Sequence, residues 1–263
     1  MDRGQCGRLL RGRVTFEPWE WALLAVGAAF VGLSKSGIPG VGILVVGIFS
    51  NILPPKLATG MVLPLLLVGD VAAVATYLKH TQWRHVLRLF PWTAIGVVAG
   101  WFALGHMSDR SVGVAIGAIL LFMLGLHAWR SRRTAAEKLE REVVAHGAWF
   151  APFMGVFAGF TTQMANAAGP VMILYLLAMR LPKMHFLGTS AVYFFALNLF
   201  KLPFMIQLGL IDGGSVVVNA WLAPAVLAGS IVGRLVATRV PQKLFERLAL
   251  GLTFVAALKL LLG

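Results

Sequence analysis

The chain has few groups that can hold a metal or close a disulfide. It contains a single cysteine, Cys6, which excludes an internal disulfide and any metal site built from several cysteines. Its six histidines include no pair spaced i, i+4, so a helical metal centre is not expected either. Catalytic patterns are also missing: the sequence has no phosphate-binding loop, no paired carboxylates in one apolar span and no plausible Ser-His-Asp set. We therefore expect no enzyme, no cofactor and no metal.

Charged residues are scarce, and acidic residues especially so. Only 13% of the 263 residues are charged, whereas 59% are hydrophobic and the mean hydropathy is +0.82. A soluble domain needs a more polar surface, so this composition indicates an integral membrane protein. The net charge of +13 comes from residues between the apolar runs, without the aromatic partners of a nucleic-acid-binding helix face. Basic loops at an anionic membrane surface are expected instead.

Long ion-poor runs predict membrane-spanning helices. About 20 apolar residues cross about 30 Å of hydrocarbon, and six runs come near that length: 57–78, 89–104, 112–129, 186–210, 215–233 and 244–262. Two further stretches, 19–53 and 148–179, are too long for one crossing and are interrupted by Gly and Pro. The expected fold is an all-α polytopic membrane protein of about eight apolar segments in two related halves.

The most polar stretch, 130–146, divides the chain near its midpoint. We expect it to be a linker loop between a first transmembrane repeat over 19–129 and a second over 147–263, with a basic N-terminal segment over 1–18. Each repeat is expected to start with a pair of helices separated by a Gly/Pro break.

A faint internal repeat relates the two halves. Three short matches carry it: Gly32-Leu33-Ser34 with Gly159-Phe160-Thr161, Pro55-Lys56 with Pro182-Lys183, and Gly60 with Gly188. The match of Gly60 with Gly188 aligns residues that are 128 positions apart. In this alignment Asp70 corresponds to Asn198, and Ala73 corresponds to Lys201.

The number of times that each half crosses the membrane decides how the two halves are oriented relative to each other. If each broken segment returns to its own side of the membrane, the number is odd and the second half is inverted relative to the first. The loops 79–88, 130–141, 180–183 and 234–247 then place fourteen Lys and Arg on one side, as expected for the cytoplasm. The N-terminal arginines fall on the other side and count against this scheme. If each broken segment crosses once, the halves are parallel, with eight crossings.

The two interruptions are the strongest candidate for a functional site. At bilayer depth they free backbone groups that hydrocarbon cannot satisfy, so such breaks are tolerated where they line a polar cavity. A half-helix that begins there offers unpaired N–H groups and the positive end of its dipole to an anion. The competing interpretation is that the glycines only allow close helix packing. The predicted substrate-binding residues are Ser34, Lys35, Ser36, Gly37, Gly40 and Gly42 in the first break, and Thr161, Thr162, Gln163, Asn166, Gly169 and Pro170 in the second.

Three polar residues inside apolar runs are assigned as second-tier or coupling groups: Asp70, Asn198 and Lys201. An ionised carboxylate within a span is costly, so Asp70 is expected either to carry protons or to be the counter-ion of Lys201. The alternative for Lys201 is an interfacial anchor, and the alternative for Lys35 is a lysine that reaches the membrane surface.

These motifs resemble the sulfite exporter TauE/SafE family, whose hallmark is a glycine-rich segment after the first apolar run of each half. The resemblance covers about residues 19–262 and is carried by 32–42, Asn166-Ala167-Ala168-Gly169-Pro170, Pro54-Pro55-Lys56 and Leu181-Pro182-Lys183. It implies a multi-pass permease of the bacterial inner membrane that moves sulfite, organosulfonates or related small anions. In the second half, residues 163–168 replace the usual glycine run, which leaves the identity of the anion open.

The sequence as a whole therefore predicts a secondary transporter for a small anion such as sulfite, an organosulfonate or a carboxylate. Its expected partners are that anion and the lipid bilayer, and not nucleic acid. A non-transporting membrane scaffold or assembly factor is one alternative, and an anion channel is another.

Overall fold

The structure is a computed structural model that describes residues 16–36, 42–131, 149–179, 181–236 and 258. Within these ranges the regular structure is helical and no strand occurs, which confirms the all-α prediction for this part of the chain. The α-helices are α1 (Pro18–Lys35), α2 (Gly42–Phe49), α3 (Pro55–Tyr77), α4 (Trp83–His106), α5 (Asp109–Ser131), α6 (Phe150–Ala165), α7 (Gly169–Ala178), α8 (Lys183–Gln207) and α9 (Gly213–Val236).

Some predictions fall on residues that the structure does not describe. These are most of the basic N-terminal segment, most of the linker 130–146, and the last predicted span, 244–262, apart from Leu258. Gly37 and Gly40 of the first break also lie outside the described residues.

Four helical segments are long and apolar enough to cross a membrane. They are Pro55–His80, in which a 3-10 turn extends α3, then Trp83–His106, Met184–Gln207 and Gly213–Leu235. Four of the predicted spans are therefore confirmed by length and composition. A fifth, 112–129, lies within the helix α5.

Proline and glycine mark where several helices begin. Proline suits the first turn of a helix because it has no N–H to leave unpaired. Pro18 and Pro55 occupy that first position in α1 and α3, and Pro182 directly precedes α8. Glycines 42 and 169 open the short helices α2 and α7, so each predicted broken segment contains two separate helices.

Each long helix beside a break packs against a helix from the other half of the chain. Helix α1 lies along α9, and helix α6 lies along α4. Glycines allow the first contact: a Cβ at Gly32 would overlap the carbonyl oxygen of Val226, and a Cβ at Gly229 would overlap that of Ala29. These two glycines therefore allow α1 and α9 to approach closely.

The α6–α4 contact is built in the same way at matching positions. A Cβ at Gly159 would overlap the carbonyl oxygen of Thr93, and a Cβ at Gly96 would overlap that of Val156. Gly159 is the residue that the sequence register places on Gly32. The two helix pairs thus meet through equivalent glycines.

Helices α3 and α8 position the polar residues of the candidate site. Helix α3 contacts α8, α9, α1, α2, α5 and α6, so most of its surface is covered. Asp70 of α3 and Lys201 of α8 are both fully buried. Both residues therefore lie inside the bundle, and neither faces lipid.

Candidate functional site

Helix α1 ends beside a buried carboxylate. Lys35 is the last residue of α1, and its Nζ lies 2.6 Å from Oδ1 of Asp70. On the other side of the carboxylate, Nδ2 of Asn198 donates a hydrogen bond of 2.6 Å to Oδ2 of Asp70. A carboxylate in an apolar bundle is costly unless it is paired, and here both of its oxygens have partners. Asp70 and Asn198 are the two residues that the sequence register aligns, and they touch each other.

The side chain of Lys35 is held on two further sides. Its Nζ lies 4.5 Å from the centroid of the Phe194 ring, a cation–π distance. Its aliphatic part passes Gly69, where a Cβ would lie 3.1 Å from the Lys35 Cγ. Only 11% of the side chain is exposed. Lys35 is therefore directed into the bundle, which disfavours the alternative of a lysine at the membrane surface.

The second break is occupied by the ammonium group of Lys201. Its Nζ donates to the carbonyl oxygen of Thr162 at 2.7 Å, to the Thr162 hydroxyl at 3.2 Å, and to Oδ1 of Asn166 at 2.7 Å. The carbonyl belongs to the last turn of α6, where the helix dipole is negative. Full burial disfavours the alternative role of Lys201 as an interfacial anchor. No described carboxylate contacts this ammonium group, and Asp70 pairs with Lys35 rather than with Lys201.

Asn166 shapes the second break. Its φ of 51° and ψ of 30° are left-handed, a conformation that asparagine tolerates better than most residues and that ends helix α6. Its backbone N–H donates to the carbonyl oxygen of Thr162 at 2.9 Å. Its Nδ2 donates to the carbonyl oxygen of Thr59 on α3 at 2.9 Å, while Thr59 Oγ1 donates to the carbonyl oxygen of Met164 at 3.2 Å. The break is thus attached to α3 and α8 at once.

These contacts form two polar groups, one around Asp70 and one around Lys201, which lie next to each other along α8 and are together called the polar network. It runs from Lys35 through Asp70 to Asn198, continues one turn along α8 to Lys201, and ends on Asn166. Residues 194, 198 and 201 follow the spacing that places side chains on one face of a helix. The structure therefore brings together six of the predicted residues: Lys35, Asp70, Thr162, Asn166, Asn198 and Lys201.

Other predicted residues bind their own helix. Ser36 Oγ donates to the carbonyl oxygen of Gly32 at 2.8 Å, and Thr161 Oγ1 donates to that of Phe157 at 2.8 Å. Such bonds use a hydroxyl that is then less available to a ligand. Ser34 is partly buried.

Gln163 and the ends of the short helices complete the predicted set. Gln163 is fully buried, its Nε2 lies 3.9 Å from the Met205 sulfur, and its Oε1 has no partner among the described residues. Gly42 is the first residue of α2, and Gly169 and Pro170 are the first two of α7.

Sequence reasoning missed three residues that support the network. Thr59 binds the second break, Phe194 lies under the Lys35 ammonium group, and Tyr77 donates from its hydroxyl to the carbonyl oxygen of Ser36 at 3.3 Å. One available signal was the i, i+4 spacing of Phe194 and Asn198. Thr59 and Tyr77 stand in α3 without a motif around them.

Comparison with known proteins identifies the family. The sequence model of the family described as sulfite exporter TauE/SafE matches residues 23–260, a range that includes both breaks and the whole network. No curated protein and no solved structure matches the chain. The members of this family are membrane transporters, in agreement with the four helices that can cross a bilayer. The chain therefore belongs to the TauE/SafE sulfite exporter family and is a multi-pass membrane protein.

Proposed function

We propose that this protein is a secondary transporter of the bacterial inner membrane that carries a small anion such as sulfite, an organosulfonate or a carboxylate. The observation that supports this most strongly is the charge of the buried network. It contains two lysines and one aspartate, and Asp70 is in contact with Lys35. The ammonium group of Lys201 contacts only uncharged oxygens among the described residues. An unneutralised charge inside a membrane bundle is costly, and a bound anion offsets that cost.

The N-terminal end of α7 supplies a second favourable element. Its first N–H groups have no partners within the helix, and its dipole is positive at this end. A Cβ added at Gly169 would meet no heavy atom of the described residues within 4 Å. We propose that the anion binds between the two lysines and the ends of the broken helices, which include Gly42 and Gly169.

We further propose that the halves 19–129 and 147–263 are inverted repeats. Two observations support a two-fold relation: the residues Asp70 and Asn198, aligned by the register, contact each other, and the α1–α9 and α6–α4 pairs meet through equivalent glycines. The distribution of basic loops supports the inversion. Alternating access then corresponds to rocking of one group of helices about the central site.

A membrane scaffold explains the packing glycines but gives no reason for two lysines in the interior. Hydrophobic side chains of similar volume stabilise a bundle as well as buried ions do, or better. A channel is the other alternative, and it predicts fast, non-saturable flux.

Anion uptake into liposomes that contain the purified protein tests the proposal. Saturable uptake of bisulfite or a small sulfonate is expected, together with a rise in melting temperature, because a ligand that binds only the native state stabilises it. Lys35→Ala is expected to lower the flux while membrane insertion stays normal. Lys79→Ala is the matched control, since Lys79 is exposed in the turn after α3.

Three results would contradict the proposal. Absence of both flux and stabilisation for every anion tried would favour the scaffold. Flux that does not saturate would favour the channel. Unchanged flux in Lys35→Ala would remove Lys35 from the site.

A further inference from the structure

We propose that Asp70 makes the site selective for anions with a single negative charge. The inference rests on the proposed function, because it assumes that an anion binds within the network of Lys35, Asp70 and Lys201. Asp70, the one carboxylate in the network, would determine how many negative charges the transported anion carries.

Three charged side chains set the net charge of the network. Among the described residues, Asp70 and Lys201 are the charged side chains that are fully buried, and Lys35 is largely buried with them. Their formal charges add up to one positive charge. A monoanion leaves the occupied site neutral, whereas a dianion leaves one negative charge in a medium that solvates it poorly. A dianion therefore needs an additional proton to bind equally well.

The two halves contribute unequally to this count. Asp70 and Asn198 occupy equivalent positions in the internal repeat, but Asp70 has a carboxylate and Asn198 has a neutral amide. The amide donates a hydrogen bond of 2.6 Å to the carboxylate. A second carboxylate at position 198 would cancel the remaining positive charge. Two amides would instead leave two positive charges, which suits a dianion. The single carboxylate thus sets the charge that an anion must bring.

Methanesulfonate and sulfate separate charge from shape. Both ions present a tetrahedral sulfur with oxygens of similar size, and they carry one and two negative charges at neutral pH. The measurement is the affinity of each ion for the purified full-length protein, from the concentration dependence of its thermal stabilisation. Wild type is expected to bind methanesulfonate more tightly. Because sulfate also loses more hydration energy on binding, the decisive quantity is how variants change the ratio of the two affinities.

Asp70→Asn keeps the shape of the side chain and raises the charge of the network by one unit. The ratio of sulfate affinity to methanesulfonate affinity is expected to rise about tenfold or more, since one additional charge nearby acts more strongly on a dianion. The double variant Asp70→Asn/Lys201→Met restores one positive charge and is expected to return the ratio towards that of wild type. Asp109→Asn is the matched control, because Asp109 is exposed at the start of α5.

Two results would overturn the inference, and they are distinguishable. If wild type binds both anions and Asp70→Asn leaves their ratio unchanged, charge selection by Asp70 is refuted while anion binding stands. If neither ion binds wild type or any variant, the inference fails together with the proposed function. Should Asp70→Asn not fold, Asn198→Asp provides the opposite change and is expected to weaken methanesulfonate binding at least about tenfold. Undiminished binding in that variant would equally refute the charge count.

Discussion

Substitution of Gly32 by alanine tests whether helix packing holds Lys35 in place. Gly32 lies one turn before Lys35 on the same helix, at the point where α1 crosses α9. A Cβ there would lie 2.5 Å from the backbone nitrogen of Ser230 and would overlap the carbonyl oxygen of Val226. These are backbone atoms, so no rotation of a side chain relieves the overlap. The helices themselves have to separate.

The size of that movement follows from the contact distances. Ordinary contact begins at 3.4 Å, so relief of the contact with Ser230 alone moves the helices apart by about 0.9 Å. Lys35 is the last residue of α1, so this separation disturbs its 2.6 Å contact with Asp70. Overpacking of this kind costs about 1–3 kcal/mol. We therefore expect Gly32→Ala to lower both the melting temperature and the anion flux.

Fluorescence of the eight tryptophans gives the melting temperature, and uptake into liposomes gives the flux. The matched control is Gly125→Ala on α5, where an added Cβ meets no described atom within 4 Å. That control is expected to be neutral or slightly stabilising, because alanine is the better helix former. If Gly32→Ala behaves like Gly125→Ala in both assays, the close crossing of α1 and α9 does not position Lys35 and the reasoning is wrong.

Three further substitutions test individual parts of the network. If Asp70 carries protons, Asp70→Asn abolishes the pH dependence of flux in liposomes, whereas identical pH profiles would show that Asp70 does not carry protons. Lys201→Met, which leaves the network without net charge, is expected to weaken methanesulfonate binding at little cost in melting temperature. The two short hydrogen bonds lost, at roughly 1.5–3 kcal/mol each, are offset by removal of a buried charge. A large drop in melting temperature would make Lys201 structural. For Asn166 the expected order of melting temperature is wild type, then Gly, then Ala, since alanine in the left-handed region costs about 1–2 kcal/mol more, and equal values for Gly and Ala would contradict the observed φ.

The helices and breaks were predictable because their signals are local. Apolar length alone located four helices that can cross a membrane. Glycine and proline marked the breaks: α6 ends just before Asn166, and α7 begins at Gly169. The length of an apolar run and the positions of glycine and proline can both be read along the chain. Neither requires knowledge of how the helices pack.

The partners of the charged residues were not predictable in this way. From the sequence, Lys201 was considered as the ion-pair partner of Asp70. In the structure Asp70 pairs instead with Lys35, which lies on α1, whereas Lys201 lies on α8. Choosing between the two lysines requires knowing how α1 and α8 cross α3. The internal register came closer, because it aligned Asp70 with Asn198, and these two residues are in contact. Thr59 was missed because its role depends on the backbone of the second break.

Close packing at the glycines is compatible with the proposed binding site. Gly32 and Gly159 both lie at close helix crossings, as the packing interpretation requires. Each also lies one turn before a residue of the polar network, Lys35 in one half and Thr162 in the other. Close packing therefore fixes the positions of the groups at the ends of the broken helices, and a substitution that loosens a crossing also displaces those groups.

If the proposed anion binds in this network, the unequal pairing of the two lysines predicts which lysine it meets first. Lys35 is already bound to a carboxylate, whereas Lys201 is bound to uncharged oxygens of Thr162 and Asn166. A charged partner holds an ammonium group more strongly than an uncharged one, so an incoming anion displaces the oxygens on Lys201 more readily than it displaces Asp70. Those oxygens stand at the end of α6, and Asn166 also binds α3. We therefore expect anion binding at Lys201 to loosen the second break from α3 and α8, which couples occupancy of the site to movement of that half.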